Sequence, residues 1–137
     1  MHEWALAAGV IDTATELARK ERFLRLTRVV VRIGELQRIE PEVFRQALET
    51  MRPGDDPRLA STDFELQLEP AGFACRKCGH EFARGAVGAG LDPERLEAIH
   101  FIPELAHAFL RCPRCASPDF EVRRGRGLSL ETIEGER

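Results

Sequence analysis

Residues 64–80 read FELQLEPAGFACRKCGH, and the fold turns on how that stretch is understood. In its first half Phe64, Leu66 and Leu68 alternate with Glu65, Gln67 and Glu69. A period of two, apolar on one side and charged on the other, describes a β-strand with one wet face. The second half ends in Cys75-Arg76-Lys77-Cys78-Gly79-His80, and Cys112-Pro113-Arg114-Cys115 answers it farther along. Each C-x-x-C turn presents two thiolates to one ion, and Gly79 eases the first turn. Two such pairs supply the four sulfurs of a tetrahedral zinc site. An ion so fully ligated has no open position for substrate, so its role is structural and it supplies folding free energy. A thioredoxin-like redox pair would stand alone at the start of a helix, and iron–sulfur cysteines run closer together. Zinc is the strongest of the three candidates.

Working outward from there, residues Glu3 to Lys20 carry Leu6, Val10, Ile11, Ala14, Leu17 and Ala18 on one helical face. Residues 25–36 are rich in valine and read as a buried strand that stops near Gly34. Pro41 takes a first helical position, and Val43, Phe44, Ala47, Leu48 and Met51 carry a second helix to about Arg52. Pro53, Gly54 and Pro57 mark a turn before the quoted strand. Between the cysteine pairs, LDPERLEAIHFIPELAHAFL (91–110) offers Asp92 as a cap and Pro93 as the first residue of a helix. Downstream, DFEVRRGRGLSLETI (119–133) is strand-like again, with Gly125 and Gly127 as bulge points. The expectation is an α+β fold: a small sheet of about three strands with two helices, and a zinc-ribbon-like module inserted before the last strand. Residues 1–72 and 118–137 would form the α+β domain, and 73–117 the zinc-binding domain with its helical insert.

A chain of 137 residues with 43% apolar content can bury a core. No apolar run nears the roughly 20 residues that span a bilayer. The apolar stretch Trp4–Ile11 follows Glu3, has no basic lead and runs into Asp12, unlike a signal peptide. The expected compartment is therefore the cytoplasm, where thiols stay reduced and four cysteines point to metal. A net charge of −3 gives no general attraction to nucleic acid or membrane.

The amino terminus, Met1-His2-Glu3, has chemistry of its own. A free α-amine, the His2 backbone nitrogen and its imidazole can close two fused chelate rings. Glu3 adds a donor through its backbone nitrogen or its carboxylate. Nitrogen-rich sets of this kind suit Ni(II) and Cu(II). The alternative is plain: Glu3 is favourable in any first helical turn, and a histidine there needs no further reason. His80 and His107 read as surface or half-buried polar residues.

MHEWALA at the start, VVVRIGELQ in the first strand, the two C-x-x-C pairs, IHFIPE and HAFLRCPRC together resemble the HypA/HybF family over nearly the whole chain. The insert resembles the archaeal type. These are nickel-insertion accessory proteins of nickel–iron hydrogenase maturation. The resemblance implies a nickel site at Met1, His2 and Glu3 and a structural zinc at Cys75, Cys78, Cys112 and Cys115. It implies His100 as an additional nickel ligand. Glu40 stands where some relatives have an acidic residue near the metal. The implied function is a metallochaperone, not an enzyme. It would take Ni(II) from the nucleotide-hydrolysing partner HypB and deliver it to the hydrogenase large-subunit precursor, with no nucleic acid or membrane involved. The alternative is a zinc-ribbon adaptor using Arg111, Arg114, Arg123, Arg124 and Arg126 toward protein or nucleic acid. Sparse aromatics and an acidic chain argue against base stacking there.

Overall fold

The computed structural model describes residues 2–83, 93–102 and 110–137. Its helices are α1 (Glu3–Lys20), α2 (Pro41–Met51) and α3 (Pro93–Phe101); its strands are β1 (Arg25–Gly34), β2 (Asp63–Glu69), β3 (Gly72–Cys75), β4 (Glu81–Ala83), β5 (Phe120–Arg124) and β6 (Leu128–Glu136). The buried face of α1 is Glu3, Ala7, Val10, Ile11, Ala14 and Ala18, spacings of one, three and four that mark one side of a helix. Leu6 and Leu17, expected on that face, are half-buried at its margins, and Ala7 takes the central place. Small side chains there let α1 lie close to α2, against which it packs. Pro41 does begin α2, which buries Phe44, Ala47 and Leu48.

The fold is α+β, as the sequence pattern implies. Two compact units divide the chain. One holds Met1–Arg32, Ile39–Gln67 and Leu128–Arg137; the other holds Ile33–Arg38 and Leu68–Gly127. In the first sheet β1 lies between β2 and β6, and its Leu26, Val29, Val30, Val31 and Ile33 are all buried. The N–H groups of Leu24 and Gly34 donate to the carbonyls of Glu136 and Gly127, at 2.7 and 2.8 Å, so β1 and β6 run in opposite directions. Arg25, Arg28 and Arg32 meet Glu136, Glu134 and Glu131 across these strands at 2.6, 3.2 and 3.0 Å, and Arg28 also pairs with Glu65. Exposed pairs of this kind contribute ~0.2–1 kcal/mol each, so they favour a register more than they hold the sheet together.

The second sheet has the order β4-β3-β5 and is antiparallel throughout, with Phe73 opposite Phe82 on one side and Val122 on the other. Its core joins Ala71, Phe73, Phe82, Leu110 and Phe120 to the buried Cys75 and Cys112. Phe73 and Phe120 meet edge to face at 5.3 Å, as do Phe82 and Phe120 at 5.6 Å, the arrangement aromatic quadrupoles favour. Within this unit α3 is tied to the short 3-10 turn Glu35–Gln37 and its cap by the Arg38–Glu97 ion pair at 3.3 Å.

The stretch 119–133, read from sequence as one strand with bulges, is two strands in two sheets. Gly125 and Gly127 break it, at φ values of +90° and +85°. The Gly125 N–H is taken by the Glu69 carboxylate at 2.7 Å, and its carbonyl accepts the Leu36 N–H at 2.9 Å. A Cβ on Gly34 would lie 2.2 Å from that carbonyl oxygen. Two backbones therefore touch where only glycine permits it. Among the described residues, no helix is long and apolar enough to cross a membrane.

Candidate metal centre

Four thiolates repel one another, and two turns of one design bring them together. In the first, Gly79 N–H donates to the Cys75 carbonyl and Cys75 N–H to the His80 carbonyl, both at 2.9 Å. In the second, Ala116 N–H donates to the Cys112 carbonyl at 2.8 Å and Cys112 N–H to the Ser117 carbonyl at 2.9 Å. Amides also point at sulfur: Cys78 N–H toward Cys75 Sγ at 3.5 Å and Arg114 N–H toward Cys112 Sγ at 3.4 Å. Gly79 and Ala116 occupy the same place in their turns and share a left-handed backbone, φ +78° and +63°. Glycine does this without strain, whereas Ala116 carries a cost of ~1 kcal/mol.

Cys75 Sγ lies 3.6 Å from Cys115 Sγ, and Cys78 Sγ 3.7 Å from Cys112 Sγ. All four sulfurs fall within 4.8 Å of one another. A disulfide would need roughly 2.05 Å. A tetrahedron of zinc–sulfur bonds near ~2.3 Å has edges of roughly 3.8 Å, so the four-cysteine cluster fits a zinc site. The N–H of Cys78 lowers the Cys75 pKa most, burial opposes it, and further hydrogen bonds bring the thiol down to about 7. For Cys115 the Ser117 N–H favours the thiolate, but burial and the three neighbouring sulfurs outweigh it and push the thiol up to about 11. Without a cation the cluster cannot ionise fully; a divalent ion supplies the missing charge.

At the amino terminus Met1 lies outside the described residues. His2 is exposed and caps α1; its carbonyl accepts the Leu6 N–H at 2.9 Å, so the helix starts directly behind it. Glu3 is only 6% exposed. Its carboxylate accepts the backbone N–H of Glu40 at 3.1 Å, and Glu40 is the cap residue of α2, with no side-chain capping bond of its own. Burial alone would raise the Glu3 pKa. A hydrogen bond with the chain's terminal amine lowers it most, backbone N–H groups including that of Glu40 follow, and with the positive charge of the terminus they bring it down to about 2. The sequence offered two donors at Glu3; the carboxylate is engaged, and the backbone nitrogen lies in the first turn, where helix geometry supplies no carbonyl.

His100 lies on α3, and its side chain is outside the described part of the structure, as are Asp92 and His107. His80 stacks on Phe82, ring centroids 6.2 Å apart at 16°. Sequence reading passed over Ser117. It closes the second turn as His80 closes the first, and its hydroxyl accepts the Asp119 N–H at 3.1 Å. Its signal was positional: each stands five residues after the first cysteine of its pair.

The family model described as hydrogenase/urease nickel incorporation, metallochaperone, HypA matches residues 1–135. The hydrogenase maturation factor HypA of Thermococcus onnurineus is 42% identical over 137 residues, covering 100% of this chain and 97% of the relative. That of Pyrococcus horikoshii is 43% identical with the same coverage. The solution structure of the Ni metallochaperone HypA from Helicobacter pylori matches with a TM-score of 0.64 at 23% identity, covering 99% of this chain and 98% of that one. This last likeness is one of fold.

Proposed function

The chain belongs to the HypA family of hydrogenase/urease nickel-incorporation metallochaperones, and from that premise we propose that it carries Ni(II) at its amino terminus and passes it to the large-subunit precursor of a nickel–iron hydrogenase. The observation that carries this reading is the exposed His2, set at the cap of a helix whose next residue is anchored by a buried carboxylate. A free α-amine at Met1, the His2 backbone nitrogen and imidazole, and a donor from Glu3 form the ligand set. His100 joins as a further ligand. The protein works in the cytoplasm, receives nickel from HypB, and performs no catalysis of its own. Residues 1–72 with 118–137 hold the nickel, while 73–117 hold a structural zinc at Cys75, Cys78, Cys112 and Cys115. The nitrogen ligands must lose protons to bind, so nickel affinity falls as pH drops through the histidine and α-amine range.

Nickel titration by calorimetry tests this on untagged protein beginning at Met1, beside a form extended by a few residues at that end. Zinc is counted in both. Nickel bound by the native terminus alone, with equal zinc in each form, is the expected result. Equal nickel binding by both would move the site elsewhere, and the histidines of the insert would be examined next.

A further inference from the structure

The geometry points to a positioning role for the Glu3 carboxylate: it clasps the first turn of α1 to the cap residue of α2, and so holds His2 and the amine in place without itself touching nickel. This rests on the amino-terminal reading above and adds to it. Glu3 is the one charged residue in the buried face of α1. A carboxylate is expensive to bury unless hydrogen bonds compensate it, and here the Glu40 N–H does so at 3.1 Å. That N–H has no carbonyl partner inside α2, because the cap precedes the helix's own ladder. The side chain of Glu40 makes no capping bond either. This contact shares with the terminal amine in compensating a buried charge, pairs an orphan donor and joins two helix starts. A carboxylate that turned to a metal would leave the Glu40 N–H without its acceptor.

The clasp can be cut from the far side. Glu40 has φ −79° and ψ 110°, a backbone that proline adopts, so Glu40→Pro deletes the N–H and leaves Glu3 untouched. Glu40→Gln loses the same carboxylate but keeps the N–H. Glu3→Gln removes the charge and keeps an oxygen that can accept the bond. Each variant is titrated with Ni(II) while its absorption bands are recorded and its zinc is counted as a check on folding. The expected result is a roughly tenfold weaker nickel affinity for Glu40→Pro, the equivalent of one charge-assisted hydrogen bond, with native band positions in the residual complex. Glu40→Gln should bind as the native chain does, and Glu3→Gln should weaken nickel binding less than Glu40→Pro does, with no shift of the bands. Equal weakening in Glu40→Pro and Glu40→Gln would overturn the clasp in favour of the Glu40 carboxylate. Shifted bands in Glu3→Gln would overturn it by showing that an oxygen donor had been lost from the metal. A native chain with no nickel affinity would sink the amino-terminal reading itself, a result distinct from either.

Discussion

Single residues here differ sharply in how much change they tolerate. Gly34 faces the Gly125 carbonyl across a gap that a methyl group cannot enter, so Gly34→Ala should cost about 3 kcal/mol, the range of forced backbone displacement, seen as a lowered thermal midpoint. Gly9 meets nothing within 4 Å and sits exposed inside α1. Gly9→Ala should therefore stabilise the chain by ~0.8 kcal/mol through helix propensity. Glu3 sets an acid limb. Its carboxyl, at about 2 in the folded chain against an ordinary 4.5, adds stability that is complete above the higher value and lost as pH falls through the lower one. Urea unfolding followed across that window should show the decline, and Glu3→Gln should flatten it. None of this was legible at Glu3 from sequence. From sequence Glu3 reads as a metal donor or as a charge favoured by the helix dipole, and its burial appears only once α1 packs on α2.

At the scale of elements, the alternation in residues 64–69 identified β2 correctly but overstated its apolar face. Phe64 is buried, Leu66 is half-buried and Leu68 is 60% exposed. The strand outlasts the core it began on, since Leu68 onward belongs to the second unit. Strands β3 and β4 have four and three residues, too few for a period to emerge from noise. The cysteine spacing was a stronger signal because ligand geometry imposes it directly. Comparison of the two turns yields a paired prediction. Gly79→Ala should lower stability and Ala116→Gly should raise it, each by ~0.5 kcal/mol once the greater freedom of unfolded glycine is set against the left-handed cost. Zinc-loaded protein, followed by thermal unfolding, would reveal both signs.

On the scale of the whole molecule, the two units draw stability from different sources. The first buries Ala7, Val10, Leu26, Val29, Phe44 and Leu48 and contains no cysteine, whereas the second builds its core directly onto Cys75 and Cys112. Chelation of zinc should therefore erase amide exchange protection in β3, β4 and β5 while α1 and α2 keep theirs. Loss of protection in both at once would show that the metal governs the entire chain. Sequence order revealed that the cysteine module is inserted before the last strand but concealed which unit the turn after β1 joins. The turn at Glu35–Gln37 belongs with the cysteine sheet although it follows β1 directly, and β6 returns to β1 after the whole of that sheet has intervened. That return has a consequence during synthesis. The ribosome delivers β1 early and its neighbour β6 only after the cysteine sheet has been made, so the nascent chain exposes an unfinished, valine-rich edge for most of its translation. An open edge of that kind invites pairing with other chains. Completion of the amino-terminal sheet waits for the carboxyl-terminal strand, and a chain ended before Leu128 would keep one side of β1 unpaired.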